Sequence, residues 1–237
     1  MLESCPLFTS GEYKALVIGS KGAIGCAFLD SFRADPQCTH VEGISREPGN
    51  NFDLLDSDSI RFQALKVSDL GPFEIIIDAT GALNINGIGP EKLLNSLNFD
   101  HLMQTFCVNA IGPAIVLSHF SPLLASGASI YAKLSARVGS ITDNKKGGWY
   151  GYRASKAAIN MMLQTAAIEL HRKNPHLRIV ALQPGTVRSK LSSPFVSSQV
   201  QLLDPTESVH GMLTTLKNLP LKSGAYFVDY KGVEIPW

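Results

Sequence analysis

Lys14-Ala15-Leu16-Val17-Ile18-Gly19-Ser20-Lys21-Gly22-Ala23-Ile24-Gly25 decides the fold. A short apolar run meets a glycine turn, the pattern of a strand buried on both faces in a parallel sheet. Residues 22 to 34 then read as a helix, closed by Asp35-Pro36. Strand, turn and helix N-terminus together aim backbone N–H groups and a positive dipole end at one point, where a pyrophosphate fits.

Working outward, strands and helices alternate. His40 to Ser45 reads as a second strand, and Asn51 to Leu55 is a candidate third. Ser57 to Val67 is a helix that Asp56 or Ser57 can cap. Phe73 to Gly81 is a strand running into a second glycine turn. Helical pattern extends from about Pro90 to Leu124, as two helices with a break before Asp100. Ala128 to Leu134 is a strand, Gly151 to Lys173 a helix, and Leu177 to Leu182 a strand ending at Pro184-Gly185. A helix from Pro205 to Leu216 and a strand from Ala225 to Tyr230 follow. The alternation predicts an α/β fold: a Rossmann-type, doubly wound, mainly parallel sheet with helices on both faces, in a single domain over 1–237. Ligands of such sheets bind beyond the carboxyl ends of the strands, where the glycine turns gather.

Composition narrows the function classes. The 237 residues carry 21 basic and 20 acidic side chains, a net charge of +1 that gives no purchase for nucleic acid or an anionic membrane surface. Cys5, Cys26, Cys38 and Cys107 are scattered, which predicts free thiols, a cytoplasmic location and no metal site. The N-terminal residues lack a basic region followed by an apolar run, so no signal peptide is expected. Residues 101–132 contain no Asp, Glu, Lys or Arg. Gln104, Asn109, Gly112-Pro113 and Ser121-Pro122 interrupt that run, which predicts a buried helix followed by a buried strand rather than a membrane span.

Two positions carry chemistry readable from the residues alone. Tyr152 and Lys156 stand four apart on a predicted helix, hence on one face. A cation so placed favours the phenolate, so Lys156 is expected to lower the Tyr152 pKa and make it a usable proton donor or acceptor. Beyond the second strand the chain reads Ile44-Ser45-Arg46, about 20 residues past the glycines, where a dinucleotide's adenosine ribose lies. Arginine suits a 2′-phosphate, with Lys21 as a second cation, so NADP(H) is preferred and NAD(H) remains possible.

These motifs together resemble the short-chain dehydrogenases/reductases. The likeness rests on the run Gly19 to Gly25, Asp53-Leu54, Ala79-Thr80-Gly81, Asn109, Ser135, Tyr152-x-x-x-Lys156 and Pro184-Gly185-Thr186. Ser135 to Ile141 and Gly147 to Lys156 look most like the C-factor/sniffer-type carbonyl reductases. The resemblance implies hydride transfer between a nicotinamide and a carbonyl or secondary alcohol, with Tyr152 as general acid/base. It implies that Lys156 holds the nicotinamide ribose, Ser135 donates to the substrate oxygen, and Asn109 holds a relay water. Gly19, Ser20, Lys21, Ala23, Ile24 and Gly25 would cradle phosphates, Ser45 and Arg46 the adenosine ribose, and Asp53 and Leu54 the adenine. Ala79, Thr80 and Gly81 would back the cofactor, and Pro184, Gly185, Thr186 and Ser189 its carboxamide end. It also implies a substrate lid at 189–204 after an N-terminal extension at 1–13. Trp149 would line the pocket. A homodimer or homotetramer would form through the helices carrying Asn109 and Tyr152. The alternative is a nucleotide-binding signalling or regulatory protein with little turnover.

Three departures from the family pattern stand out. Gly22 comes one place early and Ala23 takes the middle glycine's place. Asp78-Ala79-Thr80-Gly81 replaces Asn-Asn-Ala-Gly. Ala136 takes the place of the second of two serines, and Ser135 that of the first.

Overall fold

The computed structural model describes residues 11–47, 51–188 and 202–237. Its strands are β1 (Tyr13–Ile18), β2 (Cys38–Ile44), β3 (Ile75–Asp78), β4 (Ser129–Leu134), β5 (Leu177–Gln183) and β6 (Tyr226–Asp229). They form one sheet in the order β2-β1-β3-β4-β5-β6, with every neighbouring pair parallel. The chain order reverses between β1 and β3, so a crevice opens beyond their carboxyl ends.

Alternation along the strands splits the core in two. Leu16, Ile18, Ile76, Tyr131 and Ile179 face one layer, which holds α2 (Ser57–Lys66), α4 (Gly112–Phe120) and α5 (Tyr150–Leu170). Ala15, Val17, Ile77, Ala132 and Val180 face the other, which holds α1 (Ala23–Ala34) and α6 (Pro205–Asn218). Both faces are covered, so the strands read as apolar runs. The predicted α/β architecture is the one observed.

Two segments differ from the sequence reading. Asn51 to Leu55 is not a strand. Local bonds take its backbone donors: Ser59 Oγ accepts from the Asp53 N–H at 2.9 Å and the Asp53 carboxylate from the Leu55 N–H at 2.9 Å. Asp56 does cap α2, accepting from Asp58 and Ser59 N–H. Between Pro90 and Asn98 there is only one short 3-10 turn, and α3 (Phe99–Phe106) begins at Asn98, whose side chain caps it. Before that, Ile85 and Ile88 bridge across Asn86-Gly87, both at positive φ (52° and 82°). An Asn-Gly pair is the preferred centre of such a two-residue hairpin.

The uncharged run needs a correction too. β4 is buried throughout, but less than half of the most apolar stretch of the Phe99–Leu123 helix is. By length and composition alone that helix could cross a membrane. One side packs on α5 with His101, Thr105 and Asn109 buried, while Phe99, Met103 and Ile111 are exposed.

Candidate active site

The glycine turn is built by close approach. Gly19 has φ +85°, and a Cβ there would lie 3.1 Å from the Ala79 backbone. A Cβ at Gly25 would lie 2.2 Å from the Gly19 carbonyl oxygen, so only glycine lets α1 start this near β1. No side chain caps the N-terminus of α1. Its first N–H groups point out of the turn, the standing requirement for a bound anion. Ser20 is buried instead, with its hydroxyl donating to the Ile44 carbonyl at 3.3 Å.

A groove of about 590 Å³ runs from this turn along the crevice. Of the predicted cofactor residues, Gly19, Lys21, Ser45, Arg46, Asp53, Leu54, Ala79, Thr80 and Gly81 line it. Ser20, Ala23, Ile24, Gly25, Tyr152, Lys156, Pro184, Gly185 and Thr186 do not, and Gly25 acts from beneath as packing. Arg46 is exposed at one end with no ion pair among the described residues, while Lys21 pairs with Glu47 at 3.2 Å. A neighbouring cavity of about 700 Å³ shares Arg46, Phe52 and Asp53. The residues fit a dinucleotide carrying a phosphate beside Arg46.

Past Gly81 the catalytic candidates gather. A Cβ on Gly81, at φ +126°, would meet Asn109 Oδ1 at 2.9 Å and Lys156 Nζ at 3.4 Å. Lys156 donates to the Leu134 carbonyl at 3.2 Å, and its Nζ stands 5.7 Å from the centre of the Tyr152 ring. Gly139 packs directly on the Lys156 backbone, where a Cβ would come within 2.9 Å. Asn109 lies in a π-helical turn, Cys107–Ile111, and its amide clamps Ala82, accepting from the N–H at 2.9 Å and donating to the carbonyl at 2.8 Å. Each end of that side chain thus makes one bond, which fixes its orientation beside Gly81.

The electrostatics overturn one expectation. Tyr152 is not made more acidic: burial pushes its pKa up to about 12. Burial also pushes Lys156 down to about 7, helped by the charge of Lys133 and opposed by Asp78. A weakly charged lysine cannot draw the phenol down. Ser135 is tied to its surroundings. Its hydroxyl lies 2.6 Å from Asn160 Oδ1 in a buried setting, and the next residue, Ala136, has no hydroxyl.

Behind the groove lies a network that the sequence did not announce. Lys133 and Asp78, opposite each other on β4 and β3, form a fully buried ion pair at 2.9 Å. Lys133 also donates to the Thr80 carbonyl (2.7 Å) and hydroxyl (2.9 Å), and Tyr131 donates to Asp78 at 3.3 Å. This network fixes the Ala79-Thr80-Gly81 turn against the cleft.

The sequence profile described as "short chain dehydrogenase" matches residues 49–199, well over half of the chain. The chain belongs to the short-chain dehydrogenases. Among curated relatives, this short-chain dehydrogenase is 33% identical to the C-signal of Myxococcus xanthus over 70% of its own length and 94% of that protein's. It is 28% identical to the 1-hydroxy-2-glutathionyl-2-methyl-3-butene dehydrogenase of Rhodococcus sp., covering 82% of this chain and 81% of the other. Among solved structures, an NADPH-bound carbonyl reductase from chicken fatty liver superposes with a TM-score of 0.82 at 21% identity, covering 96% of this chain and 95% of that one. The carbonyl reductase Sniffer of D. melanogaster superposes at 0.80 with 19% identity, covering 95% and 100%. These likenesses to solved structures speak to the fold.

Sequence reasoning about this short-chain dehydrogenase missed Lys133, Tyr131, Asn160 and Glu91. Lys133 had a signal, a cation inside an otherwise apolar strand. The others act through partners set by register and helix packing. Of the lid expected at 189–204, residues 189–201, Ser189 among them, lie outside the described residues, as do residues 1–10 of the expected N-terminal extension.

Proposed function

We propose that this chain is an NADP(H)-dependent oxidoreductase of small or medium carbonyl compounds and secondary alcohols. The observation that carries this reading is the approach of Asn109 and Lys156 to Gly81, which lines the groove, with the Tyr152 ring beside Lys156. Cofactor choice follows from the Arg46 guanidinium at the adenosine end, which has no ion pair among the described residues and fits a 2′-phosphate. The NADPH in the chicken reductase structure is in keeping with it. Bound in the groove, the cofactor supplies hydride chemistry. Lys156 orients it through its ammonium, and Tyr152 gives its proton to the substrate oxygen. A phenol held at about 12 stays protonated through the neutral range, which favours the donor role and hence carbonyl reduction. Free thiols at Cys26, Cys38 and Cys107 support a cytoplasmic setting.

The second reading is a nucleotide-binding signalling protein of the C-signal kind, with little turnover. One observation favours it: the Ser135 hydroxyl lies against Asn160, and the next residue, Ala136, brings only a methyl. One experiment separates the two. A panel of carbonyl compounds is screened by NADPH absorbance, with NADH alongside. Turnover that falls at least about a hundredfold in Tyr152→Phe supports the enzyme. NADPH binding without oxidation across the panel supports the signalling protein.

A further inference from the structure

The catalytic helix α5 has no cap of its own. Its N-cap position is Trp149, whose side chain makes no capping bond, and its first turn contains no acid. Trp149 sits at φ 55°, directly after Gly147 and Gly148 at φ 64° and 65°. Three successive left-handed residues ending in a bulky one are held only where surrounding bonds determine them. Asn144 Oδ1 accepts from Gly147 N–H at 3.1 Å and the Gly148 carbonyl from Arg153 Nε at 2.9 Å. The bonds at the helix end itself converge on Glu91, 60 residues before Gly151. The Glu91 carbonyl accepts from Trp149 N–H, and its carboxylate accepts from Gly151 N–H at 2.9 Å. The carboxylate is buried, and its other oxygen has no hydrogen bond among the described residues, lying 3.8 Å from His101 Nε2 in the first turn of α3. Gly151 is shaped to admit it: a Cβ there would meet Glu91 Oε1 at 2.9 Å. A buried carboxylate at the positive end of a 21-residue helix is a cap supplied from a distant segment. What it holds is the turn that sets the Trp149 indole edge-on to the Tyr152 ring, centres 6.2 Å apart at 75°.

We propose that Glu91 is a positioning residue for the site: it locks the Gly147–Gly151 turn and, through it, the Trp149 indole and the Tyr152 phenol. The inference rests on the reading of Tyr152 as the proton donor. The chain's two tryptophans make it testable without activity, because Trp237→Phe leaves Trp149 as the sole reporter. Trp237 is bonded to Thr142 through its backbone carbonyl, which that change keeps. In this background Glu91→Met removes the acceptor at similar volume, and Glu91→Gln retains it. Glu91→Met is expected to red-shift Trp149 emission and to lower kcat by about ten- to a hundredfold with NADPH affinity unchanged. Glu91→Gln is expected to restore both. Should Glu91→Met fail to fold, Gly151→Ala, which pushes a methyl into the carboxylate, is expected to give the same pair of changes. Parental emission and kcat in the folded variant overturn the inference, as does a loss of kcat with parental emission. A parent chain inactive across the carbonyl panel sinks the functional reading instead, and the emission result still decides whether Glu91 holds the turn.

Discussion

At the scale of single residues, Arg46 and Lys156 carry the sharpest expectations. Arg46→Ala should weaken NADPH far more than NADH in fluorescence titration, because only the former offers a 2′-phosphate to the guanidinium. Equal weakening of both would remove the phosphate reading. Lys156 titrates near 7 in the fold against 10.5 in an open chain. Between those values the unfolded chain binds a proton that the folded one lacks. The residue therefore costs stability below about pH 7, and that cost fades as pH rises toward 10.5. A bound cofactor's negative charge favours the ammonium and raises the folded value again. NADPH binding should thus take up as much as about one proton near pH 8 and weaken as pH climbs through this window. Calorimetry in buffers of different ionisation heat measures the uptake, and Lys156→Met should abolish it.

At the scale of elements, β3 and β4 are joined by charge as well as by their ladder. Lys133→Met leaves Asp78 buried and uncompensated, which should lower stability by about 3–5 kcal/mol in urea unfolding. Adding Asp78→Asn should recover most of that loss. A single variant as stable as the parent would show the pair to be idle. This pair also marks how far the sequence could be read. α1, α5 and the apolar strands were legible because periodicity and glycine turns are local signals. Gly81 was legible because it follows a strand, and Tyr152 with Lys156 because residues four apart share a helix face; Asn109 came with the family resemblance. Asn51 to Leu55 misled because side chains at Asp53 and Ser59 took the backbone donors that a ladder needs. Ser135 came from the resemblance, although it fills the first serine's place rather than the second, and its hydroxyl meets Asn160, 25 residues on. Glu91 was invisible because its partner is a backbone N–H.

At the scale of the whole molecule, the helices flanking the site leave an apolar surface open. Phe99, Met103, Met161 and Ile168 are all exposed, Phe99 by 74% and Met161 by 66%. Surface of that kind favours self-association between copies. Light scattering should report a dimer or tetramer, and Met161→Glu should shift it toward monomer without loss of thermal stability. A monomeric parent would refute the assembly. The two ends of the groove also differ in their contact with solvent. Arg46 and Lys21 stand at its open end, whereas Asp78 and Lys133 are sealed beneath the other. Dissolved ions screen exposed charges over about 10 Å at 0.1 M but hardly reach buried ones. Ionic strength therefore acts as a dial on discrimination between the two nicotinamide dinucleotides.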